Sequence, residues 1–264
     1  MFFKNKIVWI TGASSGIGEA LVYEFAKQKA IIVISSNQEK ELLRVKENVF
    51  KTGAECFIQY LDVTDIEKIS KTASEIINQF GRIDVLINNA GISQRSLVVD
   101  TQLEIDRKIM EINYFGSIAI TKAVLPQMIK QKYGYIAVTS SISGKFGFPL
   151  RSAYSAAKHA LHGFYETLRA EVYQHNIKVL IAFPGRVQTN ISLHALTKDG
   201  TAHGKMDDGQ ALGISAEKCA IQYLRAIEKD KKEVLIGSSE LLMVYIHKFL
   251  PKLFYKLARK IKPT

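Results

Sequence analysis

The stretch Thr11-Gly12-Ala13-Ser14-Ser15-Gly16-Ile17-Gly18 constrains the fold of this chain more than any other. A short apolar, β-rich run over residues 7–10 leads straight into it. Behind it Ile17, Ala20, Leu21 and Phe25 mark one face of a helix ending near Lys29. Strand, glycine-rich turn and amphipathic helix make the first half of a βαβ unit. The glycines follow the spacing G-x-x-x-G-x-G. They let backbone approach a pyrophosphate, while the helix N-terminus offers free N–H groups and the positive end of its dipole. The alternative is a Gly/Ser turn that holds no ligand.

The rest of the chain repeats the alternation. A second strand over 31–34 ends at Ser35-Ser36-Asn37, and a helix over 39–51 leads to a strand over 56–60 and then to Leu61-Asp62-Val63. Ile66, Ile69, Ala73, Ile76, Ile77 and Phe80 form an amphipathic stripe that Gly81 stops. The apolar run 85–87 enters Asn88-Asn89-Ala90-Gly91. Two helices follow, 103–112 and 115–131, with Asn113 at their join. A strand over 135–139 runs into Ser140-Ser141-Ile142-Ser143-Gly144, and a strand over 177–182 ends at Pro184-Gly185. Residues 186–213 are polar, glycine-containing and longer than ordinary connections, which predicts a substrate lid. A helix over 216–228 and a strand over 233–236 complete a pattern that demands a parallel sheet covered on both faces. The expected architecture is α/β: a single doubly wound, Rossmann-like domain over 1–239 with a helical tail over 240–264.

Between the last two long strands lies Tyr154-Ser155-Ala156-Ala157-Lys158, in a segment whose apolar residues recur at the helical interval. Tyr154 and Lys158 share one helix face, a turn apart. An ammonium near a phenol favours the phenolate, so the pair suits proton transfer near neutral pH. Taken alone, the same pair is common on solvated helix faces. At the end of the second strand an NAD site usually carries an acid for the ribose 2′-hydroxyl. Ser36 stands there instead, with no acid to repel a 2′-phosphate. NADP(H) is therefore the expected cofactor and NAD(H) the alternative. Cys56 and Cys219 lie far apart, near no histidine cluster, so neither a disulfide framework nor a metal site is expected and a reducing, cytoplasmic setting fits. A strand beginning at Ile7 leaves no room for a signal peptide, and no apolar run of about 20 residues spans a bilayer.

Taken in order, TGASSGIG, the Asn88-Asn89-Ala90-Gly91 run, Asn113, Ser141, YSAAK and Pro184-Gly185 resemble the short-chain dehydrogenase/reductase family, with Ser141 thirteen positions before Tyr154. The resemblance implies a seven-stranded parallel sheet and interconversion of a carbonyl and an alcohol by hydride transfer. It casts Tyr154 as proton donor, Lys158 as its tuner and ribose ligand, Ser141 as the group that holds the substrate oxygen, and Asn113 as the residue stabilising a helix bend and a water. It also implies cofactor contacts from Gly12, Ser14, Ser15, Gly16, Ile17 and Gly18 in the turn. Further along they come from Ser36, Asn37, Asp62, Val63, Asn88, Ala90 and Gly91, and finally from Pro184, Gly185, Val187 and Thr189. Pocket walls are expected from Gln94, 144–151 and 188–213. Residues 184–192, Ala195-Leu196, Asp199-Gly200 and Lys205-Met206-Asp207 are similar to the dehydrogenase/reductase member 7 group. That narrower likeness implies a hydrophobic substrate: a lipid-linked ketone such as acyl- or alkyl-dihydroxyacetone phosphate, a steroid or a retinoid. Proteins of the family are usually homodimers or homotetramers.

The net charge of +11 calls for an anionic partner. From Glu240 onward there are six basic residues and one acid, interleaved with Leu242, Tyr245, Ile246, Phe249, Leu250, Leu253, Phe254 and Leu257 at helical spacing. Such a tail either packs on the domain or a second subunit, the favoured expectation, or lies on an anionic membrane surface. Pro251 should kink or split it. Nucleic-acid binding would need a dense basic face with interleaved aromatics outside the tail, and none is visible.

Overall fold

The computed structural model describes residues 1–260. Strand β1 (Ile7–Thr11) buries all five of its residues, and alternation sorts them. Val8 and Ile10 enter one core with Leu21, Phe25 and Tyr223; Ile7 and Trp9 enter the other with Ile76, Ile120 and Tyr165. A strand apolar on both faces must lie inside a three-layer sandwich, and this one does. The sheet has seven parallel strands in the order β3 (Cys56–Tyr60), β2 (Ile31–Ser36), β1, β4 (Val85–Asn88), β5 (Gly134–Thr139), β6 (Ile177–Pro184) and β9 (Glu233–Ile236). Trp9 pairs with Val33 on one side and with Leu86 on the other. Its indole N–H donates to Ser35 Oγ at 2.8 Å, so the large ring is buried without leaving a donor unsatisfied.

One face carries α1 (Gly16–Lys27), α2 (Glu39–Phe50) and α8 (Ala216–Glu228). The other carries α3 (Ile66–Phe80), α5 (Gly116–Gln131) and α6 (Ser152–Glu171). Gly81 ends α3 at φ 74°, as the sequence requires, and Asp65 caps its start by accepting from the Lys68 N–H. The strand order reverses between β1 and β4, so the connections leaving their carboxyl ends diverge and open a crevice.

Two departures from expectation bear on function. The helices on either side of Asn113 do not break. α4 (Leu103–Met110) runs through a π-turn, Glu111–Phe115, directly into α5. The π-turn carries the helix through Asn113 without a break in its backbone bonding. Residues 186–213 are also less irregular than expected. β7 (Val187–Gln188) and β8 (Ile214–Ser215) pair in parallel, and a single turn of helix, α7 (Asp208–Ala211), lies between them. Pro251 splits the tail into α9 (Leu242–Phe249) and α10 (Pro251–Ala258), with proline in the first turn of the second helix, where its missing N–H costs nothing. Lys262, counted above among the basic residues, lies outside the described residues. Among the described residues no helix is long and apolar enough to cross a membrane.

Candidate active site

The crevice is a cleft of about 1080 Å³, as large as typical ligand sites become. Its floor is the glycine turn. Gly12 adopts φ 62°, and a Cβ there would stand 2.6 Å from the Ala90 Cα, so the β1 turn and the segment after β4 touch backbone to backbone. Thr11 and Asn89 stitch them together. Thr11 Oγ1 accepts from the N–H groups of Asn89 and Ala90, at 3.1 and 3.3 Å, and Asn89 Nδ2 donates to the Gly12 carbonyl at 3.1 Å. Ser15 at the head of α1 makes no side-chain cap bond, so the first amides of that helix remain free for an anion.

Tyr154 and Lys158 lie on successive turns of α6, both buried and both lining the cleft. Lys158 Nζ is 5.6 Å from the centre of the Tyr154 ring and donates to the Thr139 carbonyl at 2.8 Å. Burial pulls the Lys158 pKa down to about 8. The start of α6 is held by Gln94, whose Oε1 accepts from the Ala153 N–H at 2.9 Å. Ser141 follows β5 into the same cleft, accepting from the Ser143 N–H and donating to the Pro184 carbonyl at 3.3 Å. Asn113 does not line the cleft. Its amide clamps Ile92, accepting from the N–H at 2.8 Å and donating to the carbonyl at 2.9 Å. A Cβ on Gly91 would stand 3.0 Å from Asn113 Oδ1 and 3.5 Å from Lys158 Nζ, so glycine there lets the amide and the ammonium approach from two helices.

Of the remaining expected contacts, Gly12, Ser14, Ser15, Gly16, Ile17, Ser36, Asn37, Asp62, Val63, Ala90, Gly91, Pro184, Gly185, Val187 and Thr189 all line the cleft. Gly18 lies one turn into α1, where a Cβ would meet the Gly12 carbonyl at 2.1 Å; it permits packing of helix on turn. Asn88 is a correction. It is buried beneath the strand end, donating to Thr121 and Tyr165, and its neighbour Asn89 takes the cleft position. Asn88, the last residue of β4, turns to Thr121 and Tyr165, whereas Asn89, just beyond the strand, turns to the glycine turn. Gln94 is a second correction, since it braces α6 and forms no pocket wall. Within the expected walls, Gln188, Thr189, Asn190, Ile191, His194 and Gln210 reach the cleft, whereas 144–151 does not.

Arg44 had not been anticipated. Seven residues beyond Asn37, on α2, it lines the cleft with Ser36 and Asn37 and reaches the Ser14 carbonyl at 3.3 Å. It donates to both Glu19 oxygens, at 2.6 and 2.9 Å, and to Glu41 at 2.7 Å. Burial opposes ionisation of Glu19, but the bonds from Arg44 and Tyr23 outweigh it and hold its pKa below the ordinary carboxylate value. The spacing from Glu41 to Arg44 puts the two on one helix face, but it does not say that this face turns towards the cleft.

A cleft with a bare glycine turn, free helix amides at its floor and a buried Tyr–Lys pair at its far end fits a dinucleotide whose reactive ring faces a proton donor. The chain belongs to the short chain dehydrogenase family, whose sequence pattern matches residues 6–199. It is therefore an NAD(P)-dependent oxidoreductase. The relatives are more particular. Dehydrogenase/reductase SDR family member 7B of Bos taurus is 41% identical over 264 aligned residues, covering 97% of this chain and 81% of that one. Dehydrogenase/reductase SDR family protein 7-like of Anopheles gambiae is 43% identical over 238, covering 88% and 75%. A short-chain dehydrogenase from Streptomyces avermitilis superposes with a TM-score of 0.82 at 28% identity, covering 98% of this chain and all of that one. One from Burkholderia phymatum, solved with NAD, gives 0.85 at 22% and covers 100% and 98%.

Proposed function

We propose that this protein is a carbonyl reductase that prefers NADPH and acts on a hydrophobic, lipid-like ketone, with the alcohol oxidation as its reverse. The observation that carries this reading is the convergence of Ser141, Tyr154 and Lys158 on one cleft with the glycine turn. The nicotinamide, when bound, supplies the hydride for the carbonyl carbon. Pro184, Gly185, Val187 and Thr189 would border it, the α1 amides would hold the pyrophosphate, and Asp62 and Val63 would flank the adenine. Ser141 Oγ turns from the Pro184 carbonyl to donate to the substrate oxygen. Tyr154 gives its proton to the same oxygen as negative charge develops there, and Lys158, charged below about pH 8, stabilises the phenolate that remains. Asn113 keeps the 91–92 backbone in place so that this corner stays in register.

Ile92 and Ile191 contribute apolar surface to the cleft that Tyr154 lines, which supports a hydrophobic substrate. Ser36 and Arg44 support NADPH, because a 2′-phosphate meets a hydroxyl and a guanidinium. Glu41, in the same cleft, is the observation favouring NADH, since a carboxylate can hold ribose hydroxyls. Dissociation constants for the two cofactors decide between them. Tyr154→Phe should lower turnover on an apolar ketone by about 10²–10⁴-fold with cofactor affinity unchanged. Wild-type turnover in that variant would remove the proton donor from the scheme.

A further inference from the structure

The tail has two faces with different chemistry. The inward face is fastened to segments that adjoin the cleft. Phe254 is buried, with its ring 5.0 Å from Phe146, in a cluster with Ile142, the residue after Ser141. The tail's single acid, Glu240, also turns inward and accepts from the Arg186 N–H at 2.8 Å, against Gly185. The hairpin is thus tied to the two segments that deliver Ser141 and Pro184 to the cleft.

The outward face is apolar and basic. Leu242, Tyr245, Phe249, Leu250, Leu253 and Tyr255 are 61, 51, 67, 55, 42 and 56% exposed. Lys248, Lys252, Lys256, Arg259 and Lys260 are exposed with them. With Glu240 engaged inside, no other carboxylate side chain among the described residues of the tail offsets these charges. A monomer does not normally leave so many large apolar side chains in water on one element. A second copy is a poor cover, because a two-fold interface would set five like charges against themselves. A bilayer with acidic headgroups suits both features. Leucine and phenylalanine enter the acyl boundary, tyrosines stay at headgroup level, and lysines stretch back to the phosphates.

We infer that the outward face of α9–α10 seats this protein on an anionic bilayer surface, with the cleft mouth held beside the lipid. The lipid-like substrate of the proposed reaction gives this seating its purpose, but the seating can be tested without turnover. The full chain is sedimented with vesicles of phosphatidylcholine alone, or with one-third phosphatidylserine, at low and high salt. Binding to the anionic vesicles that weakens with salt is expected. The pair Lys252→Gln and Lys256→Gln should lower partitioning about thirtyfold, and Phe249→Ser with Leu253→Ser by about tenfold or more. All four sites are exposed, so melting temperature and turnover of a water-soluble ketone should stay at wild-type values. Equal binding to neutral vesicles, or none at low salt, overturns the inference. So does a dimer in solution that the Phe249/Leu253 pair dissociates without altering vesicle binding. A seated protein without ketone turnover would discard the proposed reaction and keep the membrane surface.

Discussion

Lys158 is held where an ammonium is costly. It is buried in α6 with a backbone carbonyl as its hydrogen-bond acceptor, and burial alone accounts for the fall of its pKa to about 8 from an ordinary 10.5. The unfolded chain keeps that proton up to about 10.5, whereas the folded protein gives it up near 8. Between those values the unfolded state binds more protons, so this residue's contribution to folding improves as pH rises. Catalysis runs the other way. kcat/KM for carbonyl reduction should fall as pH passes through about 8, because the positive charge facing Tyr154 disappears. Lys158→Arg, which stays charged, should flatten that limb while retaining part of the activity. A limb near 8 surviving the substitution would assign the titration to another group. Lys158→Met should abolish turnover and yet raise stability by about 1–3 kcal/mol, roughly 3–8 °C in Tm, since an unpaired buried cation is replaced by an apolar chain. Calorimetry of the two proteins side by side would show whether function is here maintained against stability.

Among elements, the segment 186–213 owes its order to an ionic knot. Asp207, 3% exposed, receives Arg95 Nε on both oxygens at 3.1 Å and Arg95 Nη2 more closely, while Arg151 Nη2 reaches it at 2.9 Å. Arg95 follows β4 and Arg151 precedes α6, so one carboxylate ties the lid-like segment to the two elements that build the cleft. Burial, then the charge of Arg95, pulls the Arg151 pKa down to about 10. Asp207→Asn would leave two guanidinium groups facing each other with no counter-charge. A loss of about 3–5 kcal/mol is expected, with faster proteolysis within 186–213 and a raised KM. A variant that melts like the wild type would show that the knot orders nothing. The π-turn belongs to this scale too. Asn113 could be recognised as the point where two helical patterns meet, but a join and a π-turn look alike in hydrophobic periodicity. What separates them is the clamp on Ile92, a contact between residues 21 positions apart.

Over the whole molecule, strands and helices were legible because each is written in local chemistry: β1 through its apolar run before the glycines, α3 through its stripe ended by Gly81. Tyr154, Lys158 and Ser141 were legible because their spacing survives folding. The failures share one cause, which is that identity did not say which way a side chain faces. Asn88 and Asn89 are chemically alike and differ only in what they face; Arg44 reaches the cleft from a helix; Asp207 finds partners 112 and 56 positions away. For the tail the sequence favours packing, and one face does pack, through Phe254 on Phe146 and Glu240 on Arg186, but the spacing alone does not say which apolar residues stay exposed. Cofactor choice is also a property of the folded whole, since a ligand that binds only the native state adds to the free energy of unfolding. At a hundredfold excess over Kd that addition is about 2.7 kcal/mol, worth roughly 5–10 °C in Tm. NADPH should therefore raise the melting temperature more than NADH at equal concentration. Arg44→Gln should shrink the NADPH shift by several degrees and leave the NADH shift nearly unchanged, because only the 2′-phosphate needs the guanidinium. A larger shift with NADH in the wild-type protein would instead assign the adenosine end to Glu41, with Arg44 serving to orient that carboxylate.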